Sequence, residues 1–392
     1  MTGALTVTLL FGAAIGLFLA FAFLFKRERG VGETLLALTL LTLAIELALQ
    51  CYLRTGLYRT FPYLLGFDRS LPLLYGPALY LLAGAATGTI RRLRPAQLVH
   101  LLPFSLHFLL MLPFHIKSPA TKIFLQEQFI PGVASIEPHP APLFIVKLLV
   151  LLCYLIAAFV AVGRHERLIR EFFSAIERYE LSWFRLLLLV PAAQIVILLA
   201  TIVTYGFFQP GFVRVEMPDG YFVALILFIV TAGIQIIRTP GLWRSAVDIE
   251  TLFDPPPVDQ TDDGDAKYQK TRIDPALAEQ YKKRLLAYMD AERPYKDPLL
   301  TLPQLAKRLN APAHHLSQVI NGLVGQNFYA FVNGYRIEYA KQILAQGGPA
   351  AENILAVAYE SGFNSKSAFN TYFRKQTGVT PSEFKRSAAK SG

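Results

Sequence analysis

The sequence predicts an all-α protein in two parts: a transmembrane domain of seven helices, then a soluble domain of two helix-turn-helix units. Three observations carry this reading. Hydrophobic residues make up 53% of the chain and charged residues only 17%, where soluble domains carry about 25% charged residues. Long apolar runs recur through the first 240 residues. Beyond them the period of amphipathic helices returns, broken at prolines and glycines.

The chain of 392 residues is long enough for two or three domains. A bilayer core needs about 20 apolar residues per helix. Seven runs answer to this: Ala4–Phe25, Thr34–Leu53, Leu71–Gly88, Leu98–Ile116, Pro142–Gly163, Leu186–Phe208 and Tyr221–Ile237. Together they define a domain over residues 1–240. The first run is too long, and too poorly flanked, for a cleaved signal peptide, because Lys26, Arg27 and Arg29 follow it rather than lead. Orientation follows from the basic residues of short loops. The loops after the first, third and fifth runs carry eleven Lys and Arg, and the alternate loops carry six. This bias places the N-terminus outside a bacterial cytoplasmic membrane and the C-terminus in the cytoplasm.

Only two of the runs hold a formal charge, Glu46 in the second and Lys147 in the fifth. An intramembrane charge is a functional candidate with an expected partner. Pairing of the two, or snorkelling of Lys147, is the plainer reading. The fourth run carries His100, His107 and His115. His100 and His107 share a helical face, where a ligand-binding or proton-sensing role competes with ordinary hydrogen-bonded packing. The loop Lys117–Ala141 is the longest of the outer loops, either a connector or the mouth of a ligand site. In "RHERLIREFFSAIERYE" (Arg164–Glu180), Leu168, Ile169, Phe172, Phe173 and Ile176 lie on one face, which reads as an interfacial helix on the inner leaflet.

Residues 241–274 change character. Three consecutive prolines and eight carboxylates between Asp248 and Asp274 predict a flexible acidic cytoplasmic linker that cannot bury enough surface to order itself.

The remaining residues, 275–392, read as one helical domain. "PALAEQYKKRLLAYMDAE" is amphipathic and stops at Pro294. Thr301 with Gln304 gives a capping box, and a turn at Asn310–Pro312 separates two short helices, the first helix-turn-helix at about 301–324. A long helix over about 327–345 buries Phe328, Phe331, Val332, Ile337, Ala340 and Leu344. The two-helix pattern then recurs at about 352–376, with Gly362 ending one helix, Asn364–Ser365 capping the next, and Phe369 and Phe373 facing inward.

These residues carry a resemblance. Ile354, Val357, Ala358, Gly362 and Phe363, then Phe369, Phe373, Arg374 and Lys375, then Gly378, Thr380, Pro381, Phe384, Lys385 and Arg386 follow a specific spacing. The first half answers with Leu302, Leu305, Ala306, Leu316, Ser317, Asn333, Arg336 and Ala340. The last 115 or so residues resemble the DNA-binding domain of the AraC/XylS family of transcriptional regulators. The whole chain resembles the less common members that carry a polytopic membrane domain in place of a soluble cupin. This implies a membrane-anchored one-component regulator that senses an unknown signal and binds promoter DNA sequence-specifically.

The charge agrees with it. The chain carries +10 overall, and from Ala276 onward it holds 15 Lys and Arg against 8 Asp and Glu, which suits an anionic partner. By periodicity the outward residues of the first recognition helix are His314, Ser317, Gln318 and Asn321. Those of the second are Lys366, Ser367, Asn370 and Thr371. All eight are candidates for base contact, Gln318 and Asn370 with adenine and Lys366 with guanine. Arg374, Lys375, Lys385 and Arg386 are candidates for phosphate contact. The resemblance implies that the helix Asn327–Leu344 holds both readers on one face, about 34 Å apart. The first reader departs from this scheme by having no Lys or Arg among its outward residues, so the second is expected to anchor the domain.

The expected partners are double-stranded promoter DNA, the lipid bilayer and an unknown signal ligand or membrane partner. A homodimer could form through Pro275–Glu292, whose apolar face could equally pack on the domain's own core. Transmission through the linker favours proximity and dimerisation over a rigid lever. The alternative function is a membrane transporter or enzyme with a regulatory, DNA-binding-like tail. Against an enzyme stands the lack of any HExxH, GxSxG or P-loop pattern. Against a transporter stands the lack of an internal repeat. No metal site or cofactor is expected: Cys51 and Cys153 lie in or beside apolar runs, and neither has partners at metal-ligand spacing.

Overall fold

The computed structural model describes residues 2–27, 29–129, 141–177, 179–208, 219–238 and 273–391. Among them the regular structure is helical, with one isolated antiparallel bridge, Phe173 to Thr301. The chain divides into two compact units. The first comprises Met1–Gly163 and Leu181–Glu250; the second comprises Arg164–Glu180 and Thr251–Gly392.

In the first unit all seven apolar runs fall on helices. They are α1 (Thr2–Leu24), α2 (Val31–Arg54), α3 (Tyr75–Ala86), α4 (Leu102–His115), α6 (Ala141–Phe172), α7 (Ser182–Phe208) and α8 (Asp219–Arg238). By length and composition Gly3–Leu24, Val31–Arg54, Pro95–His115 and Ile145–Phe172 can cross a membrane. The apolar stretches Leu71–Ala86, Ser182–Ile197 and Asp219–Gln235 are shorter among the described residues. A further helix, α5 (Pro119–Phe129), occupies the loop expected after α4.

Packing follows the apolar pattern. The helix α1 lies along α2 and α8, and α7 pairs with α8. One core joins Leu36, Leu40, Leu47, Leu82, Phe184, Leu187, Phe222 and Ile229, all essentially inaccessible. The approach of α1 to α2 needs a missing side chain. A Cβ on Gly16 would stand 3.0 Å from Ala44 Cβ, a small-residue contact that lets the two helices come close. Large apolar side chains also face outward, among them Phe11, Phe18, Leu109 and Ile116. The polar side chains within the runs have local partners. Lys147 Nζ donates to the Arg69 carbonyl at 2.8 Å, Gln50 Nε2 donates to Glu46 at 3.4 Å, His107 Nδ1 meets Ser70 Oγ at 2.9 Å and His100 Nδ1 meets Tyr154 Oη at 3.0 Å.

The second unit is built on α12 (Phe328–Gln346). Its N-terminal half gives Phe328, Phe331 and Val332 to one core. That core also holds Leu285 and Met289 of α9 (Pro275–Glu292), Leu305 of α10 (Leu302–Arg308), and Leu316 of α11 (Ala313–Val319). Its C-terminal half gives Ile337, Ala340, Ile343 and Leu344 to a second core. There it meets Val357 and Ala358 of α14 (Ile354–Glu360) and Phe369, Tyr372 and Phe373 of α15 (Lys366–Thr377). The turn α13 (Pro349–Glu352) precedes α14, and α16 (Pro381–Ser391) follows α15. The apolar face of α9 is thus spent on the domain's own core.

The expected interfacial helix is not continuous. α6 ends at Phe172; Phe173, Ser174 and Ile176 follow it, buried within the second unit. The acidic linker, 241–274, lies outside the described residues except for Ile273 and Asp274, where Asp274 Oδ1 caps α9 by accepting from the amides of Ala276 and Leu277.

Candidate nucleic-acid interface

Two helix pairs hang from α12, and their turns are built alike. After α10 the amide of Ala311 reaches the Ala306 carbonyl at 3.0 Å. After α14 the amide of Phe363 reaches the Ala358 carbonyl at 2.9 Å. Both bonds close a helix end through one residue in the left-handed region. That residue is Asn310 at φ 45° in the first pair and Gly362 at φ 89° in the second. Gly362 has no freedom to be anything larger, since a Cβ there would lie 2.3 Å from the Tyr295 carbonyl oxygen.

The second helix of each pair then presents one face inward. Leu316, Val319 and Ile320 are buried in the first, Phe369, Tyr372 and Phe373 in the second, both at positions i, i+3 and i+4 of a helical stripe. What remains outside differs. On α15 Lys366, Ser367, Thr371, Arg374 and Lys375 are exposed and Asn370 is half-buried. Ser365 Oγ caps this helix by accepting from the Ala368 amide at 3.1 Å. Lys366, Arg374 and Lys375 form no ion pair among the described residues, so three cations project from one helix and its last turn.

The following helix adds to this face. Glu383 Oε2 accepts from the Thr380 amide at 2.7 Å and from its hydroxyl at 2.8 Å. These bonds hold the Glu383 carboxyl below the usual carboxylate range and fix the start of α16. Arg386 is exposed and Lys385 half-buried in its first turns.

The second helix of the first pair offers no such charge; the exposed cations of this pair, Lys307 and Arg308, lie on α10. His314 and Asn321 are exposed, and Ser317 and Gln318 are half-buried. Asn321 Nδ2 donates to Ser317 Oγ at 3.3 Å. Gln318 Oε1 accepts the Ile273 amide at 3.1 Å, so one amide group expected to face bases is engaged by the residues entering α9. The His314 ring lies tilted against that of His315, with centroids 4.2 Å apart. Burial and the His314 charge push His315 below its ordinary value.

Behind these faces lies a buried cation that the spacing marked only as part of a pattern. Arg336 is 1% exposed. Its Nε donates to the Tyr295 carbonyl at 2.8 Å and its Nη2 to the Asp297 carbonyl at 2.7 Å. Burial, opposed by the charges of Glu177 and Asp297, lowers its pKa to about 10, so the guanidinium stays charged at neutral pH.

Residues 305–387, from within α10 to within α16, match a family model described as a helix-turn-helix domain. The C-terminal part of the chain is a helix-turn-helix domain. Relatives agree over the same kind of length. The chain is 42% identical over 65 residues to the transcriptional activator RhrA of Rhizobium meliloti (strain 1021), covering 17% of this chain and 20% of that one. It is 43% identical over 51 residues to an uncharacterized HTH-type transcriptional regulator in the cgkA 5′ region of Pseudoalteromonas carrageenovora, covering 13% of this chain and 28% of the relative. The matches therefore span less than a third of each relative. No solved structure matches the chain.

Proposed function

We propose that this protein is a membrane-anchored, one-component transcriptional regulator of the AraC/XylS type. In this reading residues 1–240 form a seven-helix sensor in the bacterial cytoplasmic membrane, with the N-terminus outside. Residues 241–274 are a cytoplasmic linker, and residues 275–392 form a double helix-turn-helix domain that binds promoter DNA. The observation that carries it is the joining, in one chain, of outward-facing apolar helices such as α1 and α4 to an exposed face of α15 bearing Lys366, Ser367, Asn370 and Thr371.

Each part has its physical reason. Exposed Phe and Leu side chains along helices of membrane length are stable in lipid and costly in water. The cations of α15 and α16 neutralise phosphates, which supplies most sequence-independent affinity. Lys366 at the start of α15 and Asn370 one turn later reach base edges when the helix enters the major groove. Arg374, Lys375, Lys385 and Arg386 hold the backbone. His314, Ser317, Gln318 and Asn321 read a second, weaker half. Glu46, Lys147 and His107 are the intramembrane groups through which a signal ligand or membrane partner would act.

Two fusions at Gly392 test the topology: a fluorescent protein that matures only in the cytoplasm, and a phosphatase active only outside. Fluorescence without phosphatase activity is expected. Phosphatase activity without fluorescence would overturn the reading, because the reader would then face no chromosome.

A further inference from the structure

The loop that leaves α6 makes a set of buried contacts with the helix-turn-helix domain, within the second unit. Every polar atom of Ser174 is satisfied there. Its amide donates to the Leu300 carbonyl at 3.3 Å and its Oγ donates to the same oxygen at 2.7 Å. Its carbonyl accepts from Asn333 Nδ2 and from Arg336 Nη1, each at 3.0 Å. Its Oγ also accepts from Arg336 Nη2 at 2.9 Å. Phe173 is bridged to Thr301, the residue that caps α10. Phe173 and Ile176 are 5% and 4% exposed, and Phe172 packs against the core that holds the first helix pair.

Chemistry makes this more than incidental packing. A guanidinium has five donors and no acceptor, and at Arg336 none of its direct hydrogen bonds goes to a carboxylate. Two of its five bonds end on Ser174. Without the loop those two donors lose their protein partners. The Arg336–Asn333 face of α12 therefore receives the backbone carbonyl and the hydroxyl of a single serine.

The loop has a second property. It leaves α6 and leads into α7, helices whose remaining residues belong to the other unit. It is thus a covalent connection independent of residues 241–274. We propose that Phe173–Ile176 is a latch: seated on Asn333 and Arg336, it braces Thr301 and the first helix pair against α12 in the arrangement that binds DNA, and a change in α6 or α7 releases it. This rests on the regulator reading and adds the route by which the membrane part controls the reader. Transmission then runs through a short docked segment, not through proximity alone. A coupling of this kind is commonly worth a factor of about 5 to 150 in affinity.

The test uses the full-length protein in lipid nanodiscs, compared with F173S/I176S, which removes the two apolar pins, and S174A, which removes only the hydroxyl. Two quantities are read: amide exchange of Ser174 and of the α15 core, and affinity for a DNA fragment recovered by crosslinking the unmodified protein. In the unmodified protein the Ser174 amide is expected to exchange about 100-fold more slowly than an open chain. In F173S/I176S this protection is lost, α15 stays protected, and DNA affinity falls about fivefold or more; S174A shifts both in the same direction by less. If F173S/I176S also unprotects α15, S174A decides by the same readouts. An unprotected Ser174 in the unmodified protein overturns the docking, and released loops with unchanged affinity overturn the control. A protected Ser174 in a protein that binds no DNA overturns the regulator reading while leaving the docking in place.

Discussion

The two helix pairs share one plan and differ in what they leave outside. Both close their first helix through a left-handed residue, and both bury an i, i+3, i+4 stripe against α12. The second pair exposes Lys366, Arg374 and Lys375 from a helix of 12 residues capped by Ser365. The first exposes His314 from a helix of seven residues, with Pro312 at its cap and no side-chain bond there, and Asn321 from the π-helical turn Ile320–Val324 that follows. The first pair is also touched by Ile273, at Gln318, and by Phe173, at Thr301. In the proposed reading these similar scaffolds carry different work: one pair grips DNA, and the other is adjusted by the rest of the chain.

The largest test of that division is to damage each reader in turn. K366A/S367A/N370A is expected to lower affinity for promoter DNA by about 100-fold, since each good base contact is worth about 1–3 kcal/mol. H314A/S317A/Q318A is expected to cost less than about tenfold. Titration of labelled DNA checks both, and equal losses would erase the distinction between the pairs.

The turns give a second contrast, read in stability. G362A places a methyl group 2.3 Å from the Tyr295 oxygen at a φ that L residues rarely hold. It is expected to destabilise the second pair by about 2–4 kcal/mol. N310A faces only the conformational penalty, about 1–2 kcal/mol. Amide exchange in the two cores separates the effects. A G362A protein as stable as the parent would contradict the close approach of this turn to Tyr295.

Salt dependence offers a finer comparison. R374A/K375A is expected to reduce the slope of log affinity against log salt by about one for each cation, with little change in sequence preference. The smallest effect belongs to Glu383. Its carboxyl sits below its ordinary value of 4.5 because Thr380 donates to it. The stabilisation it gives α16 is therefore complete above that ordinary value and is lost as pH falls through the lowered one. E383Q should remove this dependence, as checked by amide exchange at the start of α16 across the acid range.

How much of this could be read from the residues follows the range of the forces. The long helix was legible because Phe328 through Leu344 repeat at helical spacing, and α15 because Ser365, Phe369 and Phe373 announce a cap and a buried stripe. The seven apolar runs were legible by composition, though α3 proves a helix of 12 residues preceded by a tight turn over Leu71–Leu74. α5 was hidden because Thr121, Lys122, Gln126 and Glu127 give it a polar look. The docked loop was hidden for a different reason. Phe173 and Ile176 have the same amphipathic spacing whether they face lipid or protein, and the deciding partner, Arg336, lies 162 positions away. Its need for acceptors is visible only once its burial is known.

The central claim is that a chain held in the membrane reads DNA through α15. Crosslinking of the intact protein to the chromosome, followed by isolation of the membrane fraction and sequencing of the attached DNA, tests it most directly. The account predicts a discrete set of promoter sites that vanishes in K366A/S367A/N370A. The same sites recovered from that variant, or a membrane fraction carrying no specific DNA, would contradict it.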